Sequence, residues 1–271
     1  MTDAGVLNRY LALLDVEAEP PSLAHLSRLV TTQLKRVPFE NVSKLFLKKT
    51  EGADFIPSLE AHVDGIQRHH FGGTCYANNP HFRELLRYLG YDADLCGAEM
   101  SRPDVHVVII VRLEDSEYLV DVGYGAPFYE PLPRDLDHPL EIPWGTTRYV
   151  LHAKDHHGRS RMEQWRDGEL VHGYRVDPTP RDINHFEGII RESYAESAAF
   201  MNSLVIERFF EGRSLRFHNF ARTESTRDRT TVARIENLDQ LAANVEARAG
   251  IRAEIVRLAL EDLPLKGEIY I

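Results

Sequence analysis

A cysteine, a histidine and an aspartate stand at positions where the three together could perform nucleophilic catalysis. Cys75 follows a glycine pair in FGGTCYANNP (residues 71–80), His106 lies near the start of the apolar run VHVVIIV, and Asp121 ends the segment YLVD. An unassisted thiol is only a few per cent ionised at pH 7, so a nucleophilic cysteine needs help from its surroundings. In a thiol triad the carboxylate orients the imidazole, and the imidazole takes the thiol proton. We take these residues as candidates for acyl transfer through a thioester.

The sequence predicts that Cys75 lies at or just before the start of a helix. If Thr74 is the N-cap, Cys75 occupies the first turn, where unpaired N–H groups and the helix dipole favour a thiolate. Asn79 and Pro80 also form an N-cap and first-turn pair, so a helix that starts there, or a kink, is the alternative.

A hairpin is predicted over DVHVVIIVRLEDSEYLVDVGYG. A two-residue loop of Glu114 and Asp115 pairs Val108 with Asp121. His106 and Asp121 then lie on one face as diagonal neighbours, about 7–8 Å apart. A three-residue loop sends them to opposite faces, so the candidate triad requires an even-length turn or a compensating bulge.

The elements around these residues change period near residue 90. Before it, apolar residues recur at helical spacing in SLAHLSRLVTTQLKR, SLEAHVDGIQRHH and HFRELLRYLG, which predicts a helical bundle. After it, short β-rich runs such as DADLCGAEM, TTRYVLHA and RMEQWRDGEL predict an antiparallel sheet or small barrel. A helix over INHFEGIIRESYAESAAF, further strands (SLVIERFF, RSLRFHNF, TTVARI) and two helices complete an α+β chain. Gly90 is expected to cap the third of the first helices.

Composition excludes several classes of protein. The 271 residues are 43% hydrophobic and 27% charged, with a net charge of −10, which argues against a nucleic-acid partner. No apolar run reaches the ~20 residues of a membrane span, and no secretory signal is recognisable, so we expect a cytoplasmic protein without a membrane role. The two cysteines form neither a metal-ligand spacing nor a disulfide framework.

The motifs together resemble those of the arylamine N-acetyltransferases. RVPFEN (residues 36–41) and GGTCYANN (72–79) are similar to two segments of that family, and VHVVIIV and YLVDVGYG to its histidine and aspartate strands. The resemblance covers about the first 130 residues in order and spacing. It implies Cys75 as the nucleophile, His106 as the general base and acid, and Asp121 as the orienting carboxylate.

The resemblance also implies a fold and substrates. The fold would be a helical bundle carrying the nucleophile (1–90), a β-barrel carrying His106 and Asp121 (91–200) and an α/β lid (201–271), around a cysteine-peptidase-like core. Acetyl-CoA would be the co-substrate, no metal would be needed, and an arylamine, arylhydrazine or related small amine would accept the acyl group. Phe39 and Tyr124 would line the acceptor pocket, with Thr74 and Gly125 as further candidate substrate-binding residues.

The loop around Cys75 departs from the family pattern. Phe71 replaces an arginine, Thr74 an aromatic residue and Ala77 a glutamate, and Pro80 is unusual. These changes keep open an amide synthase that uses a non-acetyl acyl donor. A transglutaminase- or peptidase-like thiol enzyme, active without CoA, and a non-catalytic binding protein with an ordinary thiol are further alternatives.

Other conspicuous residues favour structural roles. Cys96 is expected to be a buried strand thiol, and the pairs His69-His70 and His156-His157 to face solvent. Arginines between residues 204 and 235 make a locally basic segment, which we interpret as a solvated strand surface, although CoA phosphates need such a patch. Gly123 and Gly125 lack the third glycine and the helix of a dinucleotide-binding motif, so a tight turn or a bulge is favoured.

Overall fold

A computed structural model describes residues 4–263 and residue 265. The helical part of the fold comes first, and a short strand, β1 (Phe39–Glu40), interrupts it. Its helices are α1 (Ala4–Leu14), α2 (Leu23–Arg36), α3 (Val42–Glu51), α4 (Leu59–His69) and α5 (Cys75–Tyr88). Ser22 and Ser58 cap α2 and α4 with their side chains, and Gly90 follows α5 with a positive φ of 91°. The expected helices and the glycine after α5 are therefore confirmed.

A curled antiparallel sheet follows the helices. Its strands are β2 (Asp92–Glu99), β3 (His106–Leu113), β4 (Ser116–Val120), β5 (Leu132–Pro133), β6 (Leu140–Trp144), β7 (Thr147–Leu151), β8 (Ser160–Arg166) and β9 (Glu169–Pro180). They lie in the order β5-β4-β3-β2-β9-β8-β7-β6. β9 pairs with β2 and so joins two antiparallel units, β2 to β5 and β6 to β9, into one sheet.

The last part of the chain forms a second antiparallel sheet backed by helices. A short helix, α6 (Glu187–Glu192), precedes it. The strands and helices are β10 (Val205–Phe210), β11 (Arg213–His218), β12 (Ala221–Thr226), β13 (Thr230–Arg234), α7 (Leu238–Ala249) and α8 (Ala253–Leu260). The sheet runs β1-β10-β11-β12-β13, so β1 from the helical part forms its edge. The division of the chain at residues 90 and 200 stays a prediction.

Two expected elements differ from the structure. The single helix predicted over residues 183–200 is broken into α6 and two flanking 3₁₀ turns, because the Ser193 hydroxyl donates to the Ile190 carbonyl (2.6 Å) and ends α6. The run RMEQWRDGEL is two strands, since Asp167 and Gly168, both with positive φ, form the turn between β8 and β9.

The apolar core next to the candidate site joins distant parts of the chain. Cys75 and Tyr76 pack in one buried cluster with Val107 of β3 and with Phe186 and Ile190 of the α6 region. A second cluster connects α3 to β10, β11, α7 and α8. The first cluster thus packs the start of α5 against β3, and the second holds α3 against the second sheet and its helices.

Candidate active site

Cys75 begins α5, and Thr74 in extended backbone precedes it as the N-cap. The Ala77 and Asn78 N–H groups both donate to the Thr74 carbonyl at 3.0 Å. The helix continues through Pro80, so the alternative start at Asn79 is wrong. Cys75 is buried, in the first turn of a 14-residue helix, where the dipole and unpaired N–H groups stabilise negative charge.

The loop before Cys75 is fixed by a buried glutamate from the RVPFEN segment. The Gly72 N–H donates to Glu40 Oε1 (3.0 Å), and the Ser43 N–H donates to Oε2 (2.8 Å). Burial raises the pKa of Glu40, and these N–H bonds oppose that rise. A Cβ at Gly72 would lie 1.8 Å from the Pro38 carbonyl oxygen, so only glycine fits. The loop therefore depends on Glu40 and on backbone contacts for its shape.

His106 and Asp121 meet as the hairpin prediction requires. Leu113 pairs with Ser116, so Glu114 and Asp115 form a two-residue turn, which confirms the even-length alternative. His106 Nε2 lies 2.8 Å from Asp121 Oδ2, and both side chains are buried. The Cys75 side chain is near enough to the ring to raise its pKa. The structure thus brings the three candidate residues together.

The charge state of His106 follows from these neighbours. Burial alone would lower the pKa of His106, but the charges of Asp121 and Cys75, with the hydrogen bond to Asp121, raise it to about 10. The imidazolium is therefore favoured near neutral pH. An imidazolium beside a sulfur atom at a helix N-terminus favours the thiolate, which is the nucleophilic form.

Asp121 has partners that sequence reasoning did not assign. Its Oδ1 accepts from Asn79 Nδ2 (2.9 Å) and the Gly123 N–H (3.1 Å), and its Oδ2 accepts from the Tyr174 hydroxyl (2.8 Å) as well as from His106. Asn79 stands four residues after Cys75, on the same helix face, so its helical spacing could have identified it. Tyr174 comes from β9, and nothing in its local sequence marks it.

Gly123 and Gly125 fit the tight-turn interpretation. A Cβ on Gly123 would lie 2.7 Å from the Cys75 Cα. Gly125 has a positive φ of 75°, and a Cβ there would lie 3.3 Å from the Phe39 ring. Both positions thus let backbone approach the candidate site closely.

The predicted substrate-binding residues lie in two places. The Tyr124 ring is 5.6 Å from that of His106, and its hydroxyl is 2.6 Å from His172 Nδ1. Phe39 is packed edge-on against Phe200 at 5.8 Å and contacts Gly125. Thr74 lines a cavity beside the Cys75 loop, and neither Phe39 nor Tyr124 is among the residues that line it.

The structure shows how buried Cys96 and the two histidine pairs are. Cys96 is fully buried in β2, and burial raises the pKa of its thiol to about 12, which confirms a buried strand thiol. His156 and His157 are exposed as expected, and so is His70. His69 is half-buried, because its ring packs 5.1 Å from that of Phe71, so its expected solvent position is wrong.

Two kinds of feature are absent from the residues that the structure describes. Within residues 4–263 and residue 265, no group of three or more His, Cys, Asp or Glu side chains could hold a metal ion. Among the helices in that part of the chain, none is long and apolar enough to cross a membrane.

Comparison with known proteins gives a match to one family profile and relatives that align with only part of the chain. A family profile described as N-acetyltransferase matches residues 22–256. The chain is 32% identical over 126 residues to the pineal gland isozyme NAT-3 of arylamine N-acetyltransferase from Gallus gallus, covering 44% of this chain and 42% of that protein. It is 44% identical over 69 residues to proansamycin X synthase from Amycolatopsis mediterranei, covering 22% of this chain and 26% of that protein. The chain thus spans less than half the length of either relative.

Solved structures with the same fold match nearly the whole chain. The arylamine N-acetyltransferase of Mycobacterium marinum in complex with CoA has a TM-score of 0.80 at 20% identity, covering 95% of this chain and 99% of that one. The enzyme of Mycobacterium abscessus has a TM-score of 0.79 at 18% identity, covering 94% and 93%. The mixed α+β fold with a curled antiparallel sheet is shared with these structures.

Proposed function

Because the chain belongs to the arylamine N-acetyltransferase family, we propose that Cys75, His106 and Asp121 form a catalytic triad that carries an acyl group from a CoA thioester to a small aromatic amine or hydrazine. The observation that carries the proposal is the buried chain of contacts from Asp121 through His106 to Cys75. Acyl transfer in general follows from the family, and the thioester route is the part that these contacts support.

The first half-reaction acylates the enzyme. The Cys75 thiolate attacks the thioester carbonyl of acetyl-CoA, and a tetrahedral oxyanion forms. Backbone N–H groups near the start of α5 are suited to stabilise that oxyanion. When the intermediate collapses, the carbon–sulfur bond to CoA breaks, and His106 gives its proton to the departing CoA sulfur.

The second half-reaction transfers the acyl group. The acceptor nitrogen attacks the Cys75 thioester and loses a proton to the now neutral His106. The bond between the acyl carbon and Cys75 Sγ then breaks and returns the thiolate. The imidazolium–thiolate pair that began the cycle is restored, so no other acid or base is needed. Phe39 and Tyr124 supply aromatic surface for a flat acceptor beside His106.

Intact-mass spectrometry after mixing with acetyl-CoA, without acceptor, tests the proposal. We expect a one-acetyl mass increase in the wild type and in Cys96→Ala, whose thiol is buried in another cluster. The increase should be absent from Cys75→Ala. An unmodified wild-type mass across several acyl-CoA donors would refute the proposal.

A second candidate function is an amide synthase that uses a non-acetyl acyl donor. It is favoured by the small residues Thr74 and Ala77 beside Cys75, and one segment of 69 residues is 44% identical to a protein named as a synthase, proansamycin X synthase. Acylation rates with acetyl-CoA and with longer acyl thioesters separate the two functions. A preference for acetyl-CoA supports the acetyltransferase, and a preference for longer donors supports the synthase.

A further inference from the structure

A cavity lies beside the nucleophile loop, which we define as residues 71–77. Every residue of the nucleophile loop except Cys75 lines this cavity, and α3, α4 and the end of α6 form its other walls. The centre of a water-sized molecule can occupy about 40 Å³ of it, which is room for about three waters or for one small ion. Ala61 of α4 also lines the cavity and is exposed, so one wall reaches solvent.

Lys44 of α3 brings a charge into this cavity. The residue is only 8% exposed, and its Nζ donates to the Ser193 hydroxyl (2.6 Å) and lies 3.9 Å from the centre of the Tyr194 ring. An ammonium group has three N–H donors, so these two neighbours leave one donor to be paired. No aspartate or glutamate is among the described residues that line the cavity. A buried ammonium without a carboxylate is costly, so its retention calls for another source of negative charge.

Two further polar side chains of the cavity are available to a ligand. His62 is 3% exposed, and its Nε2 has no hydrogen-bond partner among the residues that the structure describes. Thr74 precedes α5 as the N-cap without a hydrogen bond from its side chain to the helix. The hydroxyls of Tyr76 and Tyr194, by contrast, already donate to backbone carbonyls. Because buried polar atoms are almost always paired, the unpaired imidazole nitrogen indicates that the cavity holds a hydrogen-bonding guest.

The charge of the cavity walls is positive at pH 7. Burial lowers the pKa of Lys44 to about 8, and the negative charge of Cys75 opposes that fall. Burial lowers the pKa of His62 well below its usual value, so the imidazole is neutral and can donate one N–H. Burial raises the pKa of Tyr76, and it raises that of Tyr194 to about 12, so both phenols are neutral too. A guest that balances these walls carries one negative charge.

We propose that this cavity is a binding site for one small monovalent anion, a carboxylate or a halide, which is held against the Lys44 ammonium between the nucleophile loop and the end of α6. The space restricts the guest to an ion of a few atoms, and the single ammonium matches a single negative charge. Attraction between opposite charges is strong in a poorly screened interior, which favours binding there over water. The site does not depend on the proposed role of Cys75, because that residue is not among those that line the cavity.

Thermal unfolding at pH 7 and constant ionic strength tests the proposal. Sodium formate or sodium chloride replaces sodium gluconate stepwise, since the gluconate anion is too large for the cavity. We expect the Tm of the wild type to rise by about 2–4 °C when the small anion reaches about ten times its Kd, because the anion binds only the folded protein. A response to formate alone assigns the site to carboxylates, and a response to both salts assigns it to small anions in general.

Two variants locate the response in the cavity. Lys44→Met removes the charge, and Ala77→Leu fills the space but keeps the charge, so both should lose the rise in Tm. Lys48→Met, one turn further along α3 and outside the cavity walls, is the matched control and should keep it. An unchanged Tm of the wild type in both salts, or a rise that persists in Lys44→Met or in Ala77→Leu, would overturn the proposal. Where one of these two variants does not fold, the other carries the comparison with Lys48→Met.

Discussion

Asp121 is satisfied on both carboxylate oxygens, and this fixes the imidazole it contacts. Asn79 is central to that arrangement, because its Nδ2 donates to the Val107 carbonyl (2.7 Å) and to Asp121, while its Oδ1 accepts the Val122 N–H (3.0 Å). One amide thus ties α5 to both strands of the hairpin. Buried groups with every bond satisfied have a single orientation, so His106 is held ready for proton transfer.

Gly123 sets how closely the hairpin approaches Cys75. Gly123→Ala places a methyl group 2.7 Å from the Cys75 Cα and 2.8 Å from Asn79 Nδ2. Backbone cannot yield at such distances without a shift, so we expect at least a hundredfold loss of acylation rate and about 1–3 kcal/mol lower stability. Single-turnover acylation and urea unfolding measure the two effects.

Gly188 provides the control for this substitution. It lies in α6, and a Cβ there meets nothing within 4 Å. Gly188→Ala should keep the wild-type acylation rate and gain up to about 1 kcal/mol from helix propensity. Equal acylation rates for Gly123→Ala and the wild type would show that the close approach is not needed.

Residues were predictable from sequence where their chemistry is rare and their spacing is local. Thiol chemistry and hairpin parity make Cys75, His106 and Asp121 candidates, and the resemblance of the motifs around them to a known family singles them out. Tyr174 is an ordinary tyrosine, and only the packing of β9 brings it to the site. Its role depends on a contact between distant segments, which local patterns do not encode.

The β3–β4 hairpin shows how an element carries site geometry. Because successive strand side chains alternate between faces, the length of one turn decides whether His106 and Asp121 meet. The turn of Glu114 and Asp115 fixes the register from Leu113–Ser116 to Ile109–Val120. Continued by one step, that register pairs Val108 with Asp121, as the sequence predicts.

Insertions in this turn test the dependence on parity. One glycine added after Glu114 should move Asp121 to the opposite face or force a bulge, and we expect acetyl-adduct formation to fall at least a hundredfold. Two added glycines preserve the parity and should retain far more activity. Intact-mass kinetics with acetyl-CoA measure both, and circular dichroism confirms that each variant folds. Similar rates for the two insertions would contradict the dependence on register.

The broken helix at residues 183–200 shows where element prediction fails. The apolar spacing of Ile183, Phe186 and Ile190 is helical, and these residues do pack inward. The Ser193 hydroxyl then bonds back to the Ile190 carbonyl and also accepts from Lys44, and α6 ends there. The serine hydroxyl bonds a backbone carbonyl that helix propagation would use, and apolar periodicity does not reveal this.

At the scale of the whole molecule, the RVPFEN segment ties the helical part to the second sheet. Phe39 pairs with Glu207, and Asn41 donates to the Phe200 and Ser203 carbonyls and accepts from the Val205 N–H. These contacts join residues about 160 positions apart in the chain. The antiparallel sheets were predictable from strand patterns. The pairing of β1 with β10 was not, because β1 has only two residues and no pattern of its own.

Glu207, which pairs with Phe39, makes the stability of the folded protein depend on pH. Burial raises its pKa to about 7, although Arg216 at 3.2 Å and Arg166 oppose the rise. Between pH 4.5 and 7 the folded state then binds more protons at this site than the unfolded chain, so stability falls as the pH rises through that window. Glu207→Gln removes the titration. We expect its stability relative to the wild type to increase by up to about 3 kcal/mol from pH 4.5 to pH 8.

Urea unfolding of both proteins at pH 4.5 and pH 8 measures this difference, and the change in the difference isolates the titration from the lost contact with Arg216. Glu211→Gln is the control, because that side chain is 90% exposed and lies in the turn at the end of the same strand. Its stability relative to the wild type should change little with pH, as expected for an exposed carboxylate. A difference between Glu207→Gln and the wild type that stays constant from pH 4.5 to pH 8 would mean that Glu207 ionises as easily in the fold as in the unfolded chain. Arg216 and Arg166 would then compensate the burial of Glu207 completely, and this residue would add no pH dependence to the stability of the fold.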